Sequence, residues 1–145
     1  MPDNRADSLR TQKLRGLVVD DSPAARAQAR TALEDAAADL KLTVHIDEAV
    51  NGVDALRLLA QSTVDILLVD LHMPDITGLE VLAFWRKRAA TPGLCAVVVS
   101  TDVSVRDREK AVESGARGIL EKPVTGAALT AVLALALGAG EERAP

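Results

Sequence analysis

The sequence predicts a doubly wound α/β sandwich, a five-stranded parallel sheet with helices on both faces. Three observations predict it. Short runs rich in Val, Leu and Ile recur five times, each followed by a helix-forming segment. Most of these runs are apolar throughout rather than alternating, which suits strands covered on both sides. Cap and turn residues fall between them, notably Ser22-Pro23, Asn51-Gly52, Gly115 and Lys122-Pro123.

The elements follow in order. Leu14–Asp20 (LRGLVVD) reads as a buried strand ending in acid. Ser22 is a candidate N-cap with Pro23 at the first helical position, opening a helix over Pro23–Lys41. Thr43–Val50 is β-branched and alternates, giving a second strand, and Val53–Gln61 reads as a helix. Val64–Asp70 (VDILLVD) is a third strand, again ending in acid. After the loop His72–Gly78 come a helix over Leu79–Arg88 and a fourth strand over Leu94–Ser100. A polar helix over Val105–Ser114, a short strand over Ala116–Glu121 and a final helix over Thr125–Leu137 complete the pattern. Right-handed crossovers convert this alternation into one doubly wound domain. Residues 14–138 are assigned to it, with residues 1–13 as a flexible N-terminal tail and 139–145 as a C-terminal tail.

Composition sets limits on function. The chain has 145 residues, enough for one domain, and a net charge of −4. That weak acidity argues against a nucleic-acid binder held by a basic field. No apolar stretch is long enough to span a membrane, and the polar N-terminus has no secretory signal. Cys95 is the one cysteine, so no internal disulfide forms and a cytoplasmic setting is expected. Phe84 and Trp85 are the only aromatic residues beside 25 Ala, so the core must be aliphatic. Trp85 is expected in the core with Phe84 pointing elsewhere. Cys95 reads as a small core residue, His45 as a satisfied polar residue on a strand, and Arg86–Arg88 as a solvated helix end.

In a doubly wound sheet, ligands bind beyond the C-terminal ends of the strands. The residues there are Asp20 and Asp21, Asp70, Ser100 and Thr101, and Lys122 with Pro123. Each alone is most simply a cap, a turn or a solvated loop residue. Three clustered carboxylates, however, repel one another unless a cation or proton joins them. Hard oxygen donors open to water suit Mg²⁺, and Lys122 can pair with an acid or an incoming anion.

With these residues in place, the sequence resembles the receiver domains of two-component response regulators. The segments LVVDDSPAAR, EAVNGVDAL, ILLVDLHMPDITGLEVL, VVVSTD and ARGILEKPV carry the resemblance, in the family's order, over essentially Leu14–Leu137. It implies a flavodoxin-like, CheY-like receiver fold and a role for each matched residue. Asp70 would be the phosphoacceptor. Asp21 and Asp70 would bind Mg²⁺ directly, with Asp20 helping through water and the backbone carbonyl of His72 as a further ligand. Ser100 would hydrogen-bond a phosphoryl oxygen, and Lys122 would pair with the acid and then with phosphate, aimed by a cis peptide to Pro123. The implied donor is a histidine kinase or histidine phosphotransfer protein, and the implied output is a downstream protein target. No catalysis is implied beyond self-phosphorylation and autodephosphorylation.

Two departures bear on the switch. Thr101 stands where the family usually has Ala or Gly, and Ile119 where it has an aromatic residue, so a different readout is expected on the face formed by the fourth helix, fifth strand and fifth helix. A stand-alone domain without a DNA-binding output domain is the leading expectation, though Gly138–Pro145 does not decide it. A fragment of a larger regulator or hybrid kinase, and an interaction module not regulated by phosphorylation, are the alternatives. A Mg²⁺-dependent phosphatase would usually need a second acid where His72 stands. The final helix carries an inner arc of Leu129, Val132, Leu133, Ala136 and Leu137, and an uncharged outer arc of Ala127, Ala128, Thr130, Ala131, Ala134 and Leu135. The outer arc suggests a partner surface, with a homodimer among its forms.

Overall fold

A computed structural model gives the structure of the protein and describes residues 12–88 and 95–138. Five parallel strands form one sheet: β1 (Lys13–Val19), β2 (Thr43–Ala49), β3 (Ile66–Asp70), β4 (Cys95–Ser100) and β5 (Gly118–Glu121). Their order is β2-β1-β3-β4-β5. Five helices connect them: α1 (Pro23–Asp39), α2 (Gly52–Gln61), α3 (Gly78–Arg88), α4 (Val105–Glu113) and α5 (Gly126–Leu137). The expected elements are all present, with ends moved by one to two residues. The Leu94 start expected for the fourth strand lies outside the described residues. So do the expected tails, apart from Gln12 and Lys13.

Strand alternation divides the core in two. Leu14 and Val18 of β1, Ile66 and Leu68 of β3, and Val97 and Val99 of β4 pack with Leu33 of α1 and Leu129 and Leu133 of α5. Leu17, Val19, Leu67, Val69 and Val98 point the other way, onto α2, α3 and α4, where Leu59, Leu82 and Ala111 meet them. Both faces of β3 and β4 are thus buried, which is why those strands are apolar throughout. Trp85 is buried, and its indole N–H donates to the Val64 carbonyl at 2.8 Å. Phe84 is half-buried at the edge of the same cluster, under the guanidinium of Arg88. Arg88 is not simply solvated, because it donates to the Ala60 carbonyl at 2.9 Å and ties α3 to α2. Cys95 is a buried core residue, its thiol pushed up to about 12 by burial. His45 is exposed and sits 3.2 Å from Asp47.

Helix ends are fixed by side chains read from the sequence and by others. Ser22 Oγ accepts from the Ala25 N–H, with Pro23 opening the helix. Ser104 and Asp107 form a capping box on α4, and Thr125 caps α5. Gly115, at φ +100°, ends α4: its N–H donates to Val112 and the next N–H to Ala111, the Schellman arrangement that favours glycine.

Gly78 positions the functional edge. A Cβ built there would overlap the carbonyl of Asp70, so α3 can start against the end of β3 only if this residue is glycine. Gly78→Ala is expected to lower stability by about 1–3 kcal/mol, the usual range for overpacking. Urea unfolding checks this, and an unchanged midpoint would show that the contact is not tight.

Candidate functional site at the sheet edge

Parallel pairing brings all the strand C-termini to one edge. Asp20 follows β1, Asp70 ends β3, Ser100 ends β4 and Lys122 follows β5. The order β1-β3-β4-β5 therefore sets Asp70 between Asp20 and Ser100. Asp20, Asp70 and Ser100 are the only buried polar or charged residues among those described.

Asp20 and Asp70 share one ammonium. Lys122 Nζ lies 2.8 Å from Asp20 Oδ2 and 3.3 Å from Asp70 Oδ1. The lysine backbone is placed by its N–H, which donates to the Ser100 carbonyl at 2.8 Å, and the peptide to Pro123 is cis, as the resemblance implied. The second oxygen of Asp20 accepts from the Ser22 N–H at 2.9 Å. Asp70 Oδ1 also accepts, at 3.4 Å, from the N–H of His72.

Burial and the neighbouring Asp20 charge hold the Asp70 carboxyl above the ordinary aspartate range, with Lys122 opposing them. Burial by itself would lower the Lys122 value. The hydrogen bond to Asp20 and the charges of Asp70 and Asp20 outweigh it, so the ammonium is held above the ordinary lysine range. Asp21 stands beside this pair, exposed, and one carboxylate oxygen from each of Asp20, Asp21 and Asp70 lies within 4.8 Å of the others. Such a donor set, all hard oxygen with one member facing water, fits a divalent cation of the Mg²⁺ class.

Ser100 is fully buried but does not face the acids through a hydrogen bond. Its Oγ donates to the Asp102 carbonyl at 3.1 Å and accepts from the Asp102 N–H at 3.3 Å. Thr101 is exposed. Ile119 is buried in the sheet face covered by α2, α3 and α4.

Sequence reasoning missed Arg26 and Glu48. Arg26 Nη1 donates to the Asp20 carbonyl at 2.7 Å, and its Nε donates to Glu48 Oε1 at 3.0 Å. In sequence Arg26 is an ordinary helix residue. Only its place one turn after the Asp-Asp pair hinted at a link.

The family pattern of the response regulator receiver domain matches residues 17–134, and the chain belongs to that family, which serves two-component systems. Protein-glutamate methylesterase/protein-glutamine glutaminase 2 of Koribacter versatilis (strain Ellin345) is 34% identical over 122 residues, which are 84% of this chain and 32% of that protein. Aerobic respiration control sensor protein ArcB of Escherichia coli (strain K12) is 30% identical over 127 residues, 88% of this chain and 16% of that protein. The chain thus spans less than a third of the length of these relatives. A response regulator protein from Burkholderia pseudomallei, solved with a phosphorylated aspartic acid, calcium ion and citrate, superposes with a TM-score of 0.69 at 25% identity. That match covers 90% of this chain and 73% of the other.

The raised Asp70 value has a consequence for stability. Folding removes the Asp70 carboxylate from water and sets it beside Asp20, so its charged form opposes folding. Asp70→Asn should therefore be more stable than wild type near neutral pH without divalent cations. The gain should shrink as pH falls through the raised Asp70 value and vanish below the ordinary aspartate value of about 3.9. Urea midpoints across that range check the sign. A wild type as stable as Asp70→Asn near neutrality would contradict it.

Proposed function

We propose that this receiver accepts a phosphoryl group on Asp70 from a histidine kinase or histidine phosphotransfer protein. The observation that carries the reading is the pairing of buried Asp20 and Asp70 on the single ammonium of Lys122, with Asp21 alongside. An Asp70 oxygen attacks phosphorus, an O–P bond forms, and the N–P bond of the donor phosphohistidine breaks. Phosphoryl transfer depends on alignment and charge neutralisation, and this edge supplies both. Asp20, Asp21, Asp70 and the His72 backbone carbonyl would hold Mg²⁺, which supplies positive charge to the transferring phosphoryl oxygens. Lys122 moves its hydrogen bond from Asp70 to the phosphoryl group. The phosphorylated aspartic acid and calcium ion of the Burkholderia pseudomallei protein support this reading.

Ser100 is the coupling group. Its hydroxyl is held by the Asp102 backbone, so bonding to a phosphoryl oxygen requires release from that loop. The loop leads directly into α4, whose one buried residue is Ala111. A helix so lightly anchored follows its N-terminal loop at low cost. With Ile119 in place of an aromatic residue, the signal on the face of α4, β5 and α5 is carried by loop and helix displacement rather than ring rotation. Activity of the domain itself is limited to self-phosphorylation and autodephosphorylation. Its output is a contact with a downstream protein, in the cytoplasm, with no nucleic acid or membrane bound directly. No helix among the described residues is long and apolar enough to cross a membrane.

The outer arc of α5 supports a homodimer as one form of that contact. Ala127, Ala131, Ala134 and Leu135 are exposed, Leu135 to 54%. The shares of 32% and 16% of the relatives favour a second reading of the chain's context, a receiver serving as one domain of a larger regulator or hybrid kinase.

Acetyl phosphate with Mg²⁺ is expected to add one phosphoryl group by intact mass, and none to Asp70→Asn. Unchanged labelling of Asp70→Asn would exclude Asp70 as acceptor. Ser100→Ala should accept phosphate while losing most of the amide shifts that phosphorylation causes in α4. Identical shifts in the two proteins would move the coupling role to Thr101.

A further inference from the structure

The three acids are held in different ways. Asp20 is fixed by Lys122 and the Ser22 N–H, and Asp70 by Lys122 and the His72 N–H. Asp21 is exposed, and among the described residues no hydrogen bond or ion pair holds its carboxylate. The backbone therefore sets where its Cα–Cβ bond starts and points, with no side-chain partner to help. The peptide plane joining Asp20 to Asp21 lies past the end of β1, where the ladder with β2 and β3 has stopped. The carbonyl of that plane accepts from Arg26 Nη1 at 2.7 Å.

Arg26 is itself locked. Its side chain is 15% exposed, and Nε donates to Glu48 Oε1 at 3.0 Å. The other Glu48 oxygen accepts from Arg30 Nη1 at 2.9 Å, and the same Arg30 nitrogen reaches the Ile46 carbonyl at 3.2 Å. Two arginines of α1 thus clamp one carboxylate of β2, and the clamp ends on the peptide that carries Asp21.

We infer that Arg26 is a positioning residue for the cation site: it fixes the Asp20–Asp21 peptide plane and so aims the Asp21 carboxylate, with Glu48 holding Arg26 in place. The inference rests on the proposed metal role of Asp21. Charge alone argues the opposite way, because a guanidinium near the site repels a divalent cation. Acting only as a charge, Arg26 would weaken Mg²⁺ binding, and its removal would tighten it. Acting as a positioner, it strengthens binding. A lysine keeps the charge but lacks the rigid fork that spans a carbonyl and a carboxylate together.

Calorimetric Mg²⁺ titration of wild type, Arg26→Met, Arg26→Lys, Glu48→Gln and Asp21→Ala separates these cases, with metal-free thermal melts to confirm folding. Both Arg26 variants should bind Mg²⁺ about 10-fold more weakly, at the low end of the loss typical for groups that orient metal ligands. Glu48→Gln, which loosens the grip without removing the guanidinium, should weaken binding by a smaller factor. In acetyl phosphate labelling the Mg²⁺ concentration for half-maximal rate should rise to match, with the rate at saturating Mg²⁺ unchanged. Wild-type or tighter Mg²⁺ binding by a folded Arg26 variant overturns the inference. If Arg26→Met does not fold, Arg26→Lys and Glu48→Gln decide it by the same criterion. If Asp21→Ala binds as wild type does, the metal reading fails and the inference with it. If Asp21→Ala alone loses binding, only the role of Arg26 falls.

Discussion

Two aspartates buried side by side repel each other, and a fold that keeps both must place a cation between them. Here that cation is the Lys122 ammonium, 2.8 Å from Asp20 and 3.3 Å from Asp70. The three groups come from the ends of three different strands, so the balance exists only when β1, β3 and β5 are in register. The balance is also incomplete. Two acids share one ammonium, Asp21 adds a third negative charge, and Asp70 is left holding its proton more tightly than an ordinary aspartate. An edge with that surplus of negative charge favours the binding of further positive charge.

The rest of the molecule keeps this edge in place on one side and leaves it free on the other. Around Asp20 the chain is heavily tied: the N–H to Ala49, the carbonyl to Arg26, the carboxylate to Ser22 and Lys122. Gly78 lets α3 begin against the Asp70 carbonyl. Beyond Ser100 the ties are weaker. Thr101 and Asp102 are exposed, and α4 presents Val105 and Val112 to solvent while burying only Ala111. The contrast sets a tightly bonded acid side against a lightly anchored side within a single sheet edge.

Much of this was legible in sequence because it depends on local pattern. Apolar runs ending in acid gave the strands and placed Asp20 and Asp70 at their ends, since strand direction fixes where a run terminates. Ser22-Pro23 and Gly115 marked helix ends through backbone chemistry that needs no tertiary context. The inner and outer arcs of α5 followed from helical period alone: Leu129, Leu133, Ala136 and Leu137 are buried, and Leu135 is exposed. The contacts of Arg26, Arg88 and Ser100 were not legible. Each is a hydrogen bond to a backbone group whose position depends on how a loop or helix end is set in space. A long guanidinium on an amphipathic helix looks like a solvated residue until its partner is known. A serine at a strand end looks aimed at the acids until its own loop is seen to hold the hydroxyl.

The shared ammonium is tested most directly by following the Asp70 side-chain carboxyl through a pH titration by carbon NMR, without divalent cations, in wild type and in Lys122→Met. The wild-type midpoint is expected above the ordinary aspartate value, and removal of the ammonium should move it higher still, because burial and the Asp20 charge then act unopposed. A wild-type midpoint at or below the ordinary value, or one that does not move in Lys122→Met, would contradict the shared-ammonium arrangement.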